Sequence, residues 1–242
     1  MSYRPYLLVL ASLMLSPIVA SALELVTEDD PPHNMIKNGR LVGIATEKIE
    51  EAFKRSATPE RMELMPWARA YQSALTQAGY CVFSAARTPE REASFKWVGP
   101  IAAMDWVLYA RAGAAAKPSR LDDVRKETIG GYVQDVISVW LADQGYKVDA
   151  APNDAVNPKK LLMERINYWA SSRPRATALL AKDDLAARIV PVLTFGHTDL
   201  YLACNRGTPD DVIRKLNDAL KQMKDDGTSG KIDTRYAHWP AE

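Results

Sequence analysis

The order of strand-like and helix-like segments constrains the fold of this chain more than any other feature. From residue 23 onward the pattern runs strand, helix, strand, helix, strand. It predicts strands at 23–27, 62–67 and 80–85 and helices at 46–56 and 68–79, with a hairpin between the first strand and the first helix. This alternation is typical of a parallel α/β sheet with right-handed crossovers.

A second alternation follows in the other half of the chain, after a Gly-Pro break and a further apolar strand within 95–113. The predicted elements there are strands at 127–134, 147–152, 168–171 and 192–207 and helices at 135–146, 157–167, 173–189, 208–227 and 228–236. The roughly 220 residues that follow the first 22 suit one large domain or two domains of about 100 residues each.

The N-terminus has the pattern of a secretory signal peptide. Arg4 supplies a positive charge, an apolar run covers 6–15, and Ala20-Ser21-Ala22 is a small-x-small cleavage site. We therefore expect cleavage after Ala22, so that residues 1–22 are removed and the protein is periplasmic. An uncleaved anchor is the alternative, but the apolar run is shorter than the roughly 20 residues that span a bilayer.

Charge and residue spacing exclude several classes of function. The chain has 31 basic and 30 acidic residues, and one of the basic residues lies in the signal peptide. A formally neutral mature protein is not expected to bind nucleic acid, which usually requires a basic excess. The three histidines are far apart, and no CxxC or HExxH motif occurs, so neither a metal site nor a cofactor is expected.

Two arginines follow the third predicted strand in the stretch SAARTPERE. Arg87 and Arg91 are four residues apart, so their guanidiniums repel each other unless an anion lies near them. Ligands of open α/β sheets bind outside the carboxyl ends of strands, where this turn is expected. The arginines are therefore candidate ligand contacts. The alternative for Arg91 is an ion pair with Glu90 or Glu92, and the alternatives for Arg87 are an exposed charge or a salt bridge with the other half of the chain.

Several segments together resemble the family 3 extracellular solute-binding proteins, which include the amino-acid-binding proteins of bacterial ABC importers. The segments are TEDDPPHNM, GRLVGIATEKIEEAF, SAARTPERE, IGGYVQDV, KKLLMERIN and TPDDVIRKLNDALKQMKDDG. The resemblance implies a two-lobed α/β fold of the type II periplasmic binding proteins, with two crossover hinge strands and a ligand cleft between the lobes. It places 23–103 and 199–242 in lobe one and 104–198 in lobe two.

The resemblance also implies ligand-binding residues in lobe one. Arg91 matches the arginine that grips a ligand carboxylate in this family, and Ser84 matches a position that lines the same pocket. The turn after the first strand places Glu28 and Asp30 near the ligand. Trp67 is expected to form an apolar wall, although a core position is the alternative for it.

Other positions differ from the amino-acid-binding pattern or lie in lobe two. Asp135 stands where many members have Ser or Thr, and a plain helix N-cap is the alternative role for it. Ser172 lies near the position of an acid that binds an α-ammonium group. Tyr132 is expected to face the cleft or to pack on a helix. Arg87 is an additional charge, so an anionic ligand and a cationic ligand both remain open.

The expected function is a non-catalytic protein that captures a small polar solute, such as an amino acid or a related compound, for an ABC-type importer. Its partners would be the solute and an inner-membrane permease or a sensor, and we expect a monomer because cleft closure needs no second subunit. One alternative is a periplasmic enzyme similar to cyclohexadienyl dehydratase. Another is an orphan or sensory solute-binding protein.

The two cysteines, Cys81 and Cys204, are expected on neighbouring strands of lobe one if the resemblance holds. Export to an oxidising compartment permits a disulfide between them. Two free buried thiols are the alternative, because adjacent strands often present poor geometry for a bridge.

Overall fold

The computed structural model describes residues 22–114, 117–182, 184–237 and 239, so the predicted signal peptide lies outside the described residues except for Ala22. The strands are β1 Leu23–Thr27, β2 Met35–Lys37, β3 Arg40–Val42, β4 Glu60–Leu64, β5 Tyr80–Ala86, β6 Phe95–Arg111, β7 Thr128–Tyr132, β8 Lys147–Ala151, β9 Tyr168–Ser172 and β10 Ile189–Asn205. The α-helices are α1 Ile44–Ser56, α2 Trp67–Thr76, α3 Pro89–Glu92, α4 Val136–Asp143, α5 Asn157–Leu162, α6 Arg173–Lys182, α7 Asp210–Asp225 and α8 Thr228–Tyr236. Short 3₁₀ helices cover Leu121–Val124 and Asp154–Val156.

Two long antiparallel strands join the two halves of an eight-stranded sheet. Its order is β4-β1-β5-β10-β6-β9-β7-β8, and β6 and β10 are each 17 residues long. The strands on one side, β1, β4 and β5, are mutually parallel, and so are β7, β8 and β9 on the other. The molecule is therefore a two-lobed α/β protein with two crossover strands, as predicted.

The exact division between the lobes remains a prediction. Lobe one denotes residues 23–103 and 199–242, and lobe two denotes residues 104–198. The predicted division points, after residue 103 and after residue 198, lie opposite each other in the two long strands. Met104 pairs with Thr198, and Ala103 pairs with Asp199. Both strands thus pass from one lobe to the other at the same level of the sheet.

Helices cover both faces of the sheet in each lobe. In lobe one, Ile49 and Phe53 of α1 are almost completely buried beside Leu216 of α7, while α2 packs on the opposite face. In lobe two, α4 packs on one face of the sheet and buries Leu141 there. Trp169 is buried in the core on the other face. Each lobe thus has its own apolar core, which lies between the sheet and the buried side chains of the helices that cover it.

Most predicted elements form, and the differences have local causes. The Gly99-Pro100 break does not end a strand: β6 runs through it, and three residues, 99–101, lie opposite Tyr201 as a bulge. The helix predicted at 157–167 ends at Leu162, because Glu164 adopts a left-handed backbone with φ 58°. Trp67, assigned to a strand by its apolar neighbours, is the first residue of α2.

The turn after β1 is shaped by one close backbone approach. Gly43 has φ 133°, and a Cβ atom there would lie 2.3 Å from the carbonyl oxygen of His33. Only glycine fits this approach, which lets the start of α1 bond to the turn through the Ala45 N–H and the same carbonyl, 2.9 Å apart. The 30–34 turn is thereby held against the helix.

A disulfide bond joins Cys81 of β5 to Cys204 of β10, two fully buried residues that pair directly in the sheet. Of the two alternatives left open by the sequence, the bridge is the one present in the structure.

No helix that the structure describes combines the length and the hydrophobicity needed to cross a bilayer.

Candidate functional site

The site begins where β1 ends, in the turn that carries Glu28 and Asp30. The Asp30 carbonyl accepts from the N–H groups of His33 at 2.9 Å and Asn34 at 3.1 Å, which closes the turn. The Asn34 side chain in turn donates to the carbonyl of Glu28 and accepts from the hydroxyl of Ser84. Two acids at the carboxyl end of β1 are thus fixed in place by backbone and side-chain bonds.

A single arginine from the other lobe meets these acids. Arg175, in the first turn of α6, donates through Nη2 to Glu28 at 2.6 Å and through Nε to Asp30 at 2.9 Å. Its Nη1 lies 3.7 Å from a carboxylate oxygen of Asp135, and its guanidinium carbon lies 5.3 Å from the centre of the Tyr132 ring. We call Glu28, Asp30 and Asp135 the acid cluster.

The two lobe-two residues predicted for the cleft both contact this arrangement. Asp135 is the N-cap of α4, because its side chain accepts from the Ile137 N–H at 2.9 Å, while its other oxygen faces Arg175. The N-cap role considered for Asp135 is therefore present, and its contact with a ligand stays a prediction. Tyr132 ends β7 and lies under the guanidinium.

Arg91 and Trp67 make a second contact between the lobes. The carbonyl of Gln134, in lobe two, accepts from the Arg91 guanidinium and from the Trp67 indole N–H, each at 3.2 Å. Arg91 also lies over the ring of Tyr71, 4.9 Å from its centre. Trp67 is buried and packs in the lobe-one core, so it belongs to both the core and the cleft.

Arg87 does not reach the acid cluster. Its guanidinium forms two parallel hydrogen bonds with the carboxylate of Glu92, at 2.7 and 2.6 Å, and lies over the rings of Trp97 and Tyr201. The repulsion expected between Arg87 and Arg91 is thus relieved by an acid within the same turn.

Three cavities follow the boundary between the lobes. The first, of about 20 Å³, lies inside the cleft, and its wall includes the acid cluster, Ser84, Arg91, Trp67, Ser172 and Arg175. The second, of about 250 Å³, is lined by Glu28, Asp29, Tyr132, Arg175 and Lys182. The third, of about 340 Å³, is lined by Arg87, Arg91, Trp106, Trp140 and His197. The first cavity has room for about one water molecule.

The electrostatics of the cluster follow from burying several acids around one guanidinium. Burial raises the pKa of Glu28 to about 7 against the pull of Arg175, and Asp30 and Asp135 add to the rise. Burial also raises the pKa of Asp135. Burial opposes ionisation of Asp30 too, but Arg175 and His33 outweigh it and hold the pKa of Asp30 well below its usual range. Asp30 therefore stays ionised at a lower pH than Glu28 does.

Replacing Glu28 by glutamine is expected to remove a pH dependence of stability. The pKa of Glu28 is raised in the folded state, so its stabilising effect is complete below about pH 4.5 and is lost as the pH rises through about 7. The wild type should thus lose on the order of 2 kcal/mol relative to Glu28→Gln between pH 5 and pH 8.

Urea unfolding at a series of pH values measures this difference. Glu63→Gln, at an exposed position of β4, is the control and should follow the wild-type curve. If the free energy of unfolding changed with pH in the same way in the wild type and in Glu28→Gln, Glu28 would not be desolvated as described.

Two residues of the site were not predicted from the sequence. Arg175 lies in SSRPRA, directly after β9, so the rule that ligands bind at the carboxyl ends of strands would have pointed to it as it did to Arg91. Asp154, which lines the second cavity, is buried and accepts hydrogen bonds from Trp169, Ser171 and Asn157. No motif marks Asp154, because its partners are brought together by the fold.

Within the described residues, His, Cys, Asp and Glu side chains form no group of three or more that could hold a metal ion.

Comparison with solved structures shows the same fold in proteins of low sequence identity. A histidine kinase sensor domain, described as similar to periplasmic binding proteins, has a TM-score of 0.81 at 15% identity, covering 90% of this chain and 96% of that domain. The arginine-, lysine-, histidine-binding protein ArtJ of Geobacillus stearothermophilus has a TM-score of 0.77 at 15% identity, with coverages of 89% and 95%. The GluR0 ligand-binding core of Nostoc punctiforme, in complex with L-glutamate, has a TM-score of 0.75 at 16% identity, with coverages of 88% and 98%.

No curated protein sequence matches the chain significantly. The family model described as bacterial extracellular solute-binding proteins, family 3, matches residues 23–238. This match covers both lobes and all of the candidate site residues. The chain therefore belongs to the family 3 bacterial extracellular solute-binding proteins.

Proposed function

We propose that this protein captures an amino acid or a related small solute in the periplasm and delivers it to the permease of an ABC importer. The observation that carries the proposal is the mixed charge of the cleft. Glu28, Asp30 and Arg91 face it from lobe one, and Asp135 and Arg175 face it from lobe two. A solute with both a cationic and an anionic group complements such a cleft, because each group finds an opposite charge.

The contacts between the lobes supply a mechanism of capture. Gln134 bonds to Arg91 and Trp67 across the cleft, and Arg175 bonds to Glu28 and Asp30. A solute that contacts both lobes adds to these bonds and shifts the population toward the closed state. Binding and closure change only noncovalent contacts and require no covalent bond to be made or broken, which agrees with a non-catalytic role.

Two further observations support the proposal. The structural neighbours ArtJ and the GluR0 core are described with amino acids as ligands. The family is extracellular, and the predicted signal peptide would export the chain to the periplasm.

Replacing Arg91 by alanine is expected to weaken solute binding about ten- to hundredfold, because a charge-assisted bidentate bond to a solute carboxylate would be lost. Arg87→Ala is the matched control. It removes the same charge from the same turn, but Arg87 is already paired with Glu92 and does not line the first cavity.

A thermal-shift screen of the mature protein with amino acids, polyamines and small organic acids identifies the solute, and isothermal titration then measures the affinity of each variant. A solute that binds the native state raises the melting temperature by mass action. Equal losses of affinity in Arg91→Ala and Arg87→Ala would contradict a specific role for Arg91. A solute whose affinity is the same in both variants as in the wild type would place the binding site elsewhere.

A sensory role is the second candidate, and the similarity to a histidine kinase sensor domain favours it. Deleting the gene distinguishes the two roles. Loss of solute uptake supports transport, whereas normal uptake with a lost transcriptional response to the solute supports sensing.

A dehydratase-like enzyme is a further candidate, because Glu28, with a pKa of about 7, has the protonation behaviour of a general acid. Incubation with a cyclic carboxylic acid of the prephenate type tests this. We expect no turnover. Turnover that is lost in Glu28→Gln would replace the binding proposal with an enzymatic one.

A further inference from the structure

Arg175 connects the two lobes, because its side chain extends from lobe two and binds two acids of lobe one. The side chain is 11% exposed, and the side chains of Glu28 and Asp30 are 14% and 6% exposed. Both bonds are charge-assisted and short, at 2.6 and 2.9 Å. A buried guanidinium in this position holds the lobes together.

The position of Arg175 in its own helix is unfavourable without these acids. It lies in the first turn of α6, and its backbone N–H is 3.3 Å from the hydroxyl of Ser172. The N-terminal end of a helix carries partial positive charge and favours anions. Burying a cation there is costly unless acids surround it, so contact with the acid cluster is what stabilises Arg175 in this position.

The groups around Arg175 form the kind of site with which proteins bind small organic cations. Two carboxylates accept hydrogen bonds from the edge of the guanidinium, a third lies 3.7 Å away, and the ring of Tyr132 covers its face. Carboxylates and an aromatic face together recognise a planar cation. The side chain of Arg175 therefore fills a site of this type within the cleft.

The space enclosed between the acid cluster and Arg175 does not hold a solute cation as well. The first cavity, beside the guanidinium, holds about 20 Å³, which suits about one water molecule. The second cavity, of about 250 Å³, is lined by Arg175 as well. The second cavity therefore offers space for the guanidinium if Arg175 changes rotamer and leaves the acid cluster.

We propose that Arg175 is an internal ligand, whose guanidinium occupies the cation subsite of the cleft until a solute bearing a guanidinium or a similar planar cation displaces it. The inference rests on the proposed function and deepens it, since it names the class of solute and a competitor built into the chain. The contacts of Arg175 that hold the lobes together would then be replaced by contacts of the solute with both lobes. The apparent affinity of the wild type is lowered by the fraction of molecules in which Arg175 holds the subsite.

The test removes the guanidinium of Arg175 by substitution and supplies free guanidinium in its place. In Arg175→Ala, guanidinium chloride at low millimolar concentration should bind at least about tenfold more tightly than in the wild type, because no internal competitor remains. Arg173→Ala is the matched control, since it removes an arginine from the same turn of α6 that is 47% exposed. It should bind guanidinium as weakly as the wild type. Titration calorimetry at matched ionic strength, with tetramethylammonium chloride as the comparison salt, measures the affinities.

A second variant and a second measurement cover the case in which Arg175→Ala does not fold. Arg175→Gln keeps most of the side-chain volume and removes the charge. Small-angle X-ray scattering should give a larger radius of gyration for Arg175→Gln than for the wild type, and guanidinium should restore the compact value. An unchanged radius in Arg175→Gln would show that Arg175 does not hold the lobes together.

The outcomes separate this inference from the proposed function. If Arg175→Ala and Arg175→Gln bind no guanidinium, while a solute from the screen binds the wild type and requires Arg91, the internal ligand is disproved and the binding function stands. If an anionic solute binds the wild type and is lost in Arg175→Ala, Arg175 is a solute contact and the inference is also overturned. If guanidinium binds both variants but no solute binds the wild type, the internal ligand is supported and the proposed capture function fails.

Discussion

Replacing Cys81 and Cys204 by alanine is expected to lower the free energy of unfolding by about 2–5 kcal/mol. The bridge closes a long loop, because its two ends are 123 residues apart in sequence. It restricts the unfolded chain, and its loss increases the conformational entropy gained on unfolding. The two bridged sulfur atoms also lie in the lobe-one core with Phe53 and Leu202, so their removal reduces packing as well.

Urea unfolding with and without a reductant measures the effect and contains its own control. Reductant should lower the stability of the wild type toward that of the double variant and leave the double variant unchanged. A double variant as stable as the oxidised wild type would show that the bridge does not contribute to stability.

Replacing Asp154 by alanine is expected to cost about 3–5 kcal/mol, because several buried donors lose their acceptor together. Asp154 is 5% exposed and accepts from Trp169 Nε1, Ser171 Oγ and Asn157 Nδ2, each at 2.8 Å. The Asn157 amide also donates to the carbonyl of Gly131 at 2.8 Å. These bonds connect β7, α5 and β9, so their loss should destabilise lobe two as a unit.

Two variants define the contribution of the Asp154 acceptor. Asp154→Asn keeps one acceptor oxygen in place of two and should cost about half as much as alanine. Asp149→Ala removes an acid of β8 that is 46% exposed and paired with Lys160, and it should change stability by less than about 0.5 kcal/mol. If Asp154→Ala were as mild as Asp149→Ala, the network would not be a stabilising one.

The secondary structure followed from local patterns in the segments with the clearest amphipathic or apolar pattern, whereas the helix predicted at 173–189 ends at Lys182. The amphipathic helix predicted at 208–227 corresponds to α7, which buries Leu216 and Met223 on one side, and the apolar run at 80–85 corresponds to β5. Errors occurred at ends and breaks, where a few residues decide the backbone. The Gly99-Pro100 break was absorbed into β6 as a bulge because β10 supplies hydrogen bonds on both sides of it.

The candidate site was predicted in part because its residues follow a positional rule. Glu28 and Asp30 follow β1, and Arg91 follows β5, so their neighbourhood could be inferred from the carboxyl ends of parallel strands. Arg175 follows β9 in the same way but is not among the predicted residues, because the family resemblance assigns no role to its position. Its partners in lobe one are more than 140 residues away in sequence, which no local pattern reveals.

By itself, the sequence determined the α/β alternation, the family and the set of side chains at the strand ends, because these depend on periodicity and on local order along the chain. Tertiary structure alone decided which charges meet: Arg87 with Glu92, Arg91 with the carbonyl of Gln134, and Arg175 with the acid cluster. The physical reason is that a charge is neutralised by whatever opposite charge the fold brings within hydrogen-bond distance, and that distance is set by the packing of the two lobes.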